Sequence, residues 1–428
     1  MISKELVRQI ISDQRNAILK KDLGIEREIL EIIGKKLSIP HINVITGIRR
    51  SGKSTLLRQI INKYYHDEDF YYLNFEDERF LGFKAAEFNV VYETLLELFG
   101  EKRTFFIDEI QHCADFDAFV RRFYDDGFKF FLTGSNAGLL KEEISTRLTG
   151  RHIDIFLAPF SFNEYLLFKT GSSRPFNINI TEERAEIKRH FNEYFIRGGM
   201  PEYVRYDEKD ILINIYHDII TKDIIIRKNI NNPLYIKELY QYLIGSFAQR
   251  FSYNSLLAVS PINSVHSIKK YTEFLAESYF VRMINKYDHS LRKQMANDKK
   301  IYVADNGFIP LLSARQGSDR GWLLENLVAS SLDLSSTLFY YSGKRECDFL
   351  LLKMKQFTSA IQVCLELNRE NYKRETEGLI EALDYTGLDE GLLLTYDQEE
   401  VINTNSGKIL VMPVWKWLYQ KPVLQILP

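Results

Sequence analysis

Residues 41–65 read HINVITGIRRSGKSTLLRQIINKYY, and this stretch decides the fold class. HINVIT is typical of a short strand, and STLLRQIINKYY has the apolar spacing of a helix. Between them, Gly47 to Ser54 matches G-x-x-x-x-G-K-[ST], the pattern of a phosphate-binding loop (P-loop). A strand before the pattern and a helix after it are the context that the pattern requires, so the sequence predicts a P-loop inside an α/β fold.

Each position of the loop has a chemical reason. Gly47 and Gly52 allow the backbone to curl so that its N–H groups face phosphate oxygens, and the helix that follows adds its positive N-terminal dipole. Lys53 is expected to reach the β- and γ-phosphates of ATP, and the Ser54 hydroxyl is expected to bind Mg²⁺. The predicted nucleotide contacts are Gly47, Ile48, Arg49, Arg50, Ser51, Gly52, Lys53, Ser54 and Thr55.

A second motif, TFFIDE, occupies residues 104–109 and ends a predicted strand in two carboxylates. Asp108 is expected to hold the magnesium ion, and Glu109 to orient and polarise the attacking water. A lone Asp-Glu pair after a strand is usually a solvated loop. Paired with a P-loop, it indicates a Walker B motif and therefore hydrolysis as well as binding.

Polar residues further along the chain are candidates for sensing or stabilising the γ-phosphate. Ser135 or Asn136, at the end of FFLTGSN, would lie at the ligand-facing edge of a parallel sheet, although Gly-Ser-Asn is also a common turn. Arg147 and Arg151 in STRLTGR are four residues apart and would share a helical face. One of them would act as an arginine finger, in its own subunit or in a neighbouring one, unless both form surface salt bridges.

The remaining pattern predicts an α/β architecture of several parts. Strands at 70–76, 104–108 and 128–134 and a helix at 88–99 favour a parallel sheet covered on both faces. A strand-rich region after residue 336 contains a helix at about 372–386. The predicted division is an N-terminal helical segment at 1–36, a P-loop domain at 37–170, a helical region at 171–245, a winged-helix-like domain at 246–310 and a C-terminal α/β core at 311–428.

Several segments together resemble a poorly characterised bacterial and archaeal group of AAA-type ATPases. They are GIRRSGKSTLL, FFIDEIQ, FLTGSNAGLL, STRLTGR, LAPFSFNEYL and FIRGGMPEYV. In that group the ATPase is fused to a C-terminal domain of unknown function whose core resembles restriction endonucleases, and IYVADNGF, ENLVASSL and YYSGKRECDFLL are similar to that second half. The resemblance covers most of the chain and implies binding and hydrolysis of ATP with Mg²⁺, but no biological process.

Residues 252–282 have helix-turn-helix spacing, followed by a strand and the basic loop SLRKQ. This order is typical of a winged helix. Lys269 and Lys270 on the second helix, with Arg292 and Lys293 in the loop, are candidate contacts to nucleic-acid phosphates. Glu273 and Glu277 on the same helix leave open a winged helix that serves only for packing or protein contacts.

The C-terminal part has residues in the order of a restriction-endonuclease-type site, with one substitution at a decisive position. The matching residues are Glu325, Asp348, Gln362 and Cys364. Active members of that fold carry a lysine where Cys364 stands, and a thiol supplies no positive charge. Lys344 or Lys353 would have to take its place. We therefore expect a degenerate site that retains DNA binding rather than cleavage.

Composition excludes few functions. The 428 residues include 56 Lys and Arg against 58 Asp and Glu, so the net charge of −2 gives no global argument for a nucleic-acid partner. Three scattered cysteines argue against a disulfide framework or zinc site. The sequence shows no apolar run typical of a signal peptide or membrane span, so a cytoplasmic protein without membrane contact is expected.

The function expected from the sequence is an ATP-driven switch or motor that hydrolyses ATP with Mg²⁺ and acts on a partner, with DNA as the first candidate. Two alternatives are an ATP-regulated nuclease and an ATP-dependent signalling scaffold with a protein partner. Assembly into a homo-oligomer is compatible with an arginine finger in a neighbouring subunit.

Overall fold

A computed structural model describes residues 2–65, 69–135, 150–313, 320–333 and 335–420. The chain divides into two compact units, with unit 1 running up to Ala158 and unit 2 beginning at Pro159. This boundary differs from the predicted domain end at residue 170, because the helix that follows Ser161 packs within unit 2. Among the described residues, no helix is both long and apolar enough to cross a membrane.

Unit 1 is built around five parallel strands in the order β2-β3-β4-β1-β5. The strands are β1 Ile42–Thr46, β2 Tyr71–Asn74, β3 Thr104–Asp108, β4 Lys129–Gly134 and β5 His152–Phe156. The described helices are α1 Lys4–Lys20, α2 Ile29–Lys36, α3 Lys53–Tyr64, α4 Phe88–Phe99 and α5 Phe116–Asp125. The predicted strand at 104–108 and helix at 88–99 are confirmed.

Alternating side chains of the sheet pack into two apolar layers. Phe105 and Phe130 lie on the face covered by α1, α4 and α5, where their rings stack at 5.2 Å. Phe106 and Phe131 lie on the opposite face, covered by α2 and α3, and their rings stack at 4.7 Å. Successive residues of a strand point to opposite faces of the sheet. Because consecutive residues of these strands are apolar, both faces of the sheet must be buried. The predicted parallel sheet with two covered faces is confirmed.

The prediction of an N-terminal helical segment at 1–36 is only partly right. Ser3 caps α1 through its side chain, and α1 ends at Lys20. The segment 21–28 is not helical, and Gly24 within it has a φ of 61°, a conformation that favours glycine. Apolar periodicity on both sides of this segment conceals the break, which proves important for the site.

Unit 2 begins with helices and then forms a mixed sheet of nine strands. Its helices before the first strand are α6 Phe162–Thr170, α7 Thr181–Arg197, α8 Pro201–Tyr206, α9 Lys209–Asp218 and α10 Pro233–Gly245, and a π-helical segment, Ile219–Ile226, continues α9. A capping box starts α6, because the Ser161 and Glu164 side chains each accept a hydrogen bond from the other's backbone N–H.

The sheet of unit 2 has the order β13-β14-β12-β11-β10-β9-β7-β8-β6. Its strands are β6 Arg250–Phe251, β7 Val281–Lys286, β8 Lys299–Val303, β9 Thr337–Ser342, β10 Glu346–Lys353, β11 Gln356–Val363, β12 Glu390–Thr395, β13 Glu400–Thr404 and β14 Gly407–Pro413. The interspersed helices are α11 Tyr253–Val259, α12 Val265–Glu277, α13 Leu291–Ala296, α14 Ile309–Leu312, α15 Arg320–Ser331, α16 Tyr372–Thr386 and α17 Val414–Gln420.

Two details of unit 2 differ from the sequence predictions. A boundary at residue 310 would separate β7 and β8 from β9, yet β7 pairs with β9 in one sheet. The loop predicted to carry Arg292 and Lys293 contains the short helix α13 instead. The predicted helix at 372–386 is confirmed, and it buries Leu379 and Leu383 in the apolar core beside the sheet.

Candidate functional site

The loop from Gly47 to Gly52 connects β1 to α3 with two glycines in conformations that other residues rarely adopt. Gly47 has a φ of 152°, and a Cβ atom there would lie 2.2 Å from the backbone oxygen of Leu157. Gly52 is the residue before α3 and has a φ of 101°. Because a side chain at either position would be strained or would clash, both glycines are needed for this path.

Lys53 and Ser51 place polar groups inside the loop. The Lys53 side chain is 4% exposed, and its Nζ donates to the carbonyl oxygens of Gly47 at 3.1 Å and Ile48 at 3.2 Å. Ser51 is fully buried, and its Oγ has no hydrogen-bond partner within the part of the chain that the structure describes. A buried cation and an unsatisfied hydroxyl suit a phosphate group, which would supply negative charge to the first and a hydrogen-bond partner to the second.

The carboxylate of Asp108 ends β3 and lies against the start of α3. The Ser54 side chain is hydrogen-bonded to it, and Thr133 Oγ1 donates to its Oδ1. Tyr72 donates to Oδ2 at 3.3 Å. Burial, reinforced by the charge of Glu109, raises the pKa of Asp108, while Ser54, Thr133 and Lys53 oppose that rise. Ser54 and Asp108 thus present adjacent oxygen donors, the ligands that Mg²⁺ prefers.

The sheet order explains why Thr133 takes part. β4 lies between β1 and β3, and Thr133 is level with Ile45 of β1. A side chain at the end of β4 therefore lies between the P-loop and Asp108. Ser135 and Asn136 were predicted from this strand end and Thr133 was not, although its position before Gly134 in FFLTGSN was a usable signal.

Glu109 follows Asp108 in a left-handed backbone conformation with a φ of 51°. Its backbone N–H donates to Thr133 Oγ1 at 2.9 Å, and Gln111 Nε2 donates to its carboxylate. Burial raises the pKa of Glu109, but the positive charge of Lys53 and the hydrogen bond from Gln111 outweigh burial and leave the pKa below its usual value. Glu109 is therefore held as a carboxylate beside Lys53, and a left-handed non-glycine residue is often found at functional sites.

Ser135 is buried at the same edge of the sheet. Its Oγ accepts a 3.4 Å hydrogen bond from Gln111 Nε2, so Gln111 contacts both Glu109 and Ser135. Gln111 was not selected from the sequence, although it ends the motif FFIDEIQ. Asn136, the other predicted sensor, lies outside the described residues.

The position of Arg151 differs from the one predicted for an arginine finger. This residue immediately precedes β5 and is not helical, so the expectation of a helical face shared with Arg147 is wrong for Arg151. Because β5 is parallel to β1, Arg151 lies at the opposite edge of the sheet from the P-loop. Its guanidinium pairs with Asp125 at 2.5 Å, and its side chain is 38% exposed. This placement does not support a contact with phosphates in the same subunit. Arg147 lies outside the described residues.

The non-helical segment 21–28 packs on the outside of the P-loop. Arg27 is 4% exposed and donates to the carbonyl oxygens of Ser51 at 2.8 Å and Ala158 at 2.7 Å. From α3, Gln59 donates to the carbonyl oxygens of Leu23 at 2.8 Å and Ile25 at 2.5 Å, and it accepts from the Arg27 backbone N–H at 3.2 Å. Sequence analysis missed Arg27 and Gln59 because neither belongs to a motif.

Unit 2 holds the residues that were predicted as a degenerate nuclease site. Asp348 on β10 and Gln362 on β11 are adjacent, with a 3.2 Å hydrogen bond from the Asp348 backbone N–H to Gln362 Oε1. Glu325 on α15 is also buried. Cys364 follows β11 and is buried, which raises the pKa of its thiol to about 12. A thiol with that pKa stays neutral, as expected for a position without positive charge.

A lysine does reach these carboxylates, but it is neither of the two that the sequence suggested. Lys300 on β8 donates to Glu325 at 2.8 Å and to Asp348 at 2.9 Å. Lys353 instead contacts Ser335 at 3.0 Å, and the backbone N–H of Lys344 donates to Glu381 at 2.9 Å. Neither Lys344 nor Lys353, which the sequence left open as possible replacements, makes this contact. Lys300 lies on β8, far from Asp348 in the sequence, so spacing along the chain does not reveal its contact with Glu325 and Asp348.

The four basic residues predicted to contact nucleic acid are all exposed. Lys269 and Lys270 lie on α12, and Arg292 and Lys293 lie on α13. Lys269 is 3.8 Å from Glu273, one turn away on the same helix. Burial lowers the pKa of Lys299, and repulsion from the charge of the nearby Lys269 lowers it further.

Comparison with known proteins supports the assignment of unit 1. Residues 40–166 match a family described as an AAA domain, and residues 188–319 match a domain of unknown function (DUF8612). A Thermotoga maritima RuvB mutant structure is 14% identical, covering 74% of this chain and 96% of that chain, with a TM-score of 0.31. A score this low carries no argument about the present chain.

Two full-length relatives are similar along most of the sequence. An uncharacterized protein of Haemophilus influenzae is 29% identical over 398 residues, covering 89% of this chain and 94% of the relative. "Uncharacterized protein MJ1544" of Methanocaldococcus jannaschii is 34% identical over 441 residues, covering 97% of this chain and 96% of the relative. The chain therefore belongs to the family of this uncharacterized archaeal protein, and it carries an AAA domain with a P-loop at residues 40–166.

Proposed function

We propose that the protein binds ATP in the P-loop of unit 1 and hydrolyses it with Mg²⁺. The observation that carries this proposal is the contact of Ser54 with Asp108, beside a carboxylate at Glu109 that Lys53 and Gln111 keep ionised. Binding residues and a candidate for activating water therefore meet at one edge of the sheet.

The residues divide the chemistry among them. Lys53 and the backbone of the loop would bind the β- and γ-phosphates, and Ser51 Oγ would gain a partner there. Ser54 and Asp108 would hold the metal, which when bound neutralises phosphate charge. Glu109 would orient a water molecule and draw its proton away, while Gln111 and Ser135 fix the position of that carboxylate.

Glu109→Gln tests the hydrolytic step, because it preserves the shape of the side chain and removes its charge. We expect nucleotide affinity to persist and turnover to fall strongly, measured as phosphate release and as ATP binding on the same preparation. Glu101→Gln is a matched control, since Glu101 is exposed and pairs with Arg103. Lys53→Ala should abolish binding itself. Wild-type turnover in Glu109→Gln would place the base elsewhere.

We further propose DNA as the partner, contacted by unit 2. Supporting this, α10, β6, α11, α12, β7 and β8 follow the element order of a winged helix, with β8 pairing with both β6 and β7. Exposed Lys269 and Lys270 on α12 would face phosphates, as on a recognition helix, and Arg292 and Lys293 would occupy the wing.

The proposed DNA role can be distinguished from that of a scaffold with a protein partner. ATP turnover measured with and without duplex DNA and RNA separates an ATP-driven switch or motor from a scaffold that recruits proteins. Stimulation by duplex DNA supports the switch or motor, and indifference to both nucleic acids supports a protein partner.

A homo-oligomer in which Arg147 or Arg151 reaches a neighbouring active site belongs to the same proposal, and mixing arginine and Glu109 variants would test it.

A further inference from the structure

Lys300 is buried within a group of charged side chains in unit 2. Its side chain is 4% exposed, and its ammonium lies 2.8 Å from Glu325 Oε1, 2.6 Å from Glu346 Oε1 and 2.9 Å from Asp348 Oδ1. We call Lys300, Glu325, Glu346 and Asp348 the Lys300 cluster. An ammonium group has three N–H donors, and here three carboxylates surround it.

Through the Lys300 cluster, side chains connect elements of unit 2 that are not paired by backbone hydrogen bonds. Lys300 belongs to β8, while Glu346 and Asp348 lie on one face of β10, and β7 and β9 separate these strands in the sheet order. Glu325 comes from α15. The Lys300 ammonium is therefore a point at which three elements of unit 2 meet.

Protein groups already donate hydrogen bonds to oxygens on all three carboxylates of the cluster. Asp348 Oδ2 accepts from the Val363 backbone N–H at 3.0 Å, while Oδ1 accepts from Lys300. One carboxylate oxygen of Glu346 pairs with the Lys300 ammonium, and the other pairs with the Arg250 guanidinium. Glu325 Oε1 accepts from Tyr302 at 2.7 Å as well as from Lys300.

A positive charge at this position stabilises the cluster. Glu325 and Asp348 are both buried, and two neighbouring buried carboxylates repel each other unless a positive charge lies between them or one of them binds a proton. In proteins that charge is supplied either by a divalent metal on carboxylate oxygens or by a basic side chain. Here the basic side chain is in place, directed at the oxygens that a metal would need.

We propose that the Lys300 ammonium is the permanent internal cation of this cluster and occupies the place of a divalent metal. Unit 2 accordingly binds no catalytic metal at these carboxylates and performs no metal-dependent cleavage of phosphodiesters. Removal of the amine creates a divalent-cation site from Glu325, Glu346 and Asp348. This inference is independent of ATP hydrolysis in unit 1.

The test measures Mn²⁺ binding to the full chain, in an Asp108→Asn background that removes a metal ligand of unit 1. Calorimetry without nucleotide and thermal unfolding are recorded with Mn²⁺ and with EDTA. The background protein should show no Mn²⁺ binding. Adding Lys300→Met should lower the melting temperature in EDTA by roughly 10 °C, as expected for a buried pair that loses one partner, and saturating Mn²⁺ should restore most of it.

Lys299→Met is the matched control, because Lys299 is adjacent in the chain but donates to the backbone oxygens of Met295 and Asn297. It should create no Mn²⁺ site. A folded Lys300→Met protein that never binds Mn²⁺ would overturn the proposal. Should that variant not fold, the background protein decides: Mn²⁺ binding or plasmid cleavage that disappears in Asp348→Asn refutes the inference, and absence of both supports it.

Discussion

The side chain of Thr133, at the end of β4, donates a hydrogen bond to the carboxylate of Asp108, at the end of β3. The same hydroxyl accepts the backbone N–H of Glu109 at 2.9 Å, so one side chain connects both acidic residues of the motif. The position of β4 between the P-loop strand and β3 makes this connection available.

Thr133→Val should therefore lower ATP turnover by roughly tenfold or more. The substitution keeps the branched shape but removes a hydrogen bond to a buried charged group, worth about 1.5–3 kcal/mol. We expect a higher Mg²⁺ requirement as well, because Asp108 loses a group that orients it. Steady-state phosphate release across Mg²⁺ concentrations measures both effects.

Thr94→Val is the control for Thr133→Val. Thr94 is fully buried too, but its hydroxyl donates to Val90 within its own helix at 2.7 Å. Equal losses of turnover in the two variants would show that general destabilisation, rather than the position of Asp108, is responsible.

Arg27→Met should weaken nucleotide binding by roughly tenfold while leaving the turnover of saturated enzyme nearly unchanged. Arg27 anchors the P-loop through the carbonyl of Ser51, and each hydrogen bond from a charged donor contributes about 1.5–3 kcal/mol. Its contact with the phosphates is indirect, so the chemical step should be spared. Separate KM and kcat measurements test this, with Arg8→Met as an exposed control that pairs with Glu97. A loss confined to kcat would contradict the prediction.

Charge reversal of Lys269 and Lys270 to glutamate should reduce affinity for duplex DNA and also its dependence on salt. Each phosphate contact contributes a log–log slope of about −0.9 on duplex DNA, so losing two contacts should make the slope less negative by about 1.8. Gel shifts over a series of salt concentrations provide the slope. Reversal of Lys237, on α10 and exposed, serves as control. Binding by the wild-type protein that is insensitive to salt would argue for a protein partner instead.

Asp305 should make unit 2 more stable as the pH falls from about 7 to 5. Burial raises the pKa of Asp305 to about 6, although the N–H groups of Gly199 and Gly307 donate to its carboxylate at 2.6 and 2.9 Å and counteract the rise. Because the folded pKa exceeds the unfolded one, the stabilising contribution is complete below the unfolded pKa and is lost as the pH rises through about 6.

The measurement for Asp305 is the difference between wild type and Asp305→Asn in denaturant unfolding at several pH values. Asparagine does not titrate, so the difference isolates this group, with an expected change of about 1.3 kcal/mol between pH 7 and pH 5 for a folded pKa of about 6. A constant difference from pH 5 to 7 would show that Asp305 does not titrate there.

Local sequence patterns were sufficient to predict the elements whose conformation depends on residues close together in the chain. The helices at 88–99 and 372–386 follow from periodicity, since side chains on one face must be apolar to be buried, and the strand at 104–108 follows from a short apolar run that ends in carboxylates. The P-loop follows from Gly47, Gly52 and Lys53 for the same local reason: the backbone path of a short loop depends on which of its residues tolerate an unusual φ.

Periodicity failed where a contact depends on distant residues. The segment around Gly24 and Arg27 continues an apolar pattern and reads as helix, yet hydrogen bonds from Gln59 hold it in another conformation. The position of Arg151 was also unpredictable, because it depends on the direction in which β5 joins the sheet.

The P-loop and its acidic partner motif can be read from the linear sequence, because both are runs of adjacent residues with fixed chemistry. The contacts of Thr133 with Asp108, of Arg27 with the loop and of Lys300 with the carboxylates of unit 2 are visible only in the folded chain. Sheet order and helix packing bring these residues together across long stretches of chain, and spacing along the sequence carries no record of that proximity.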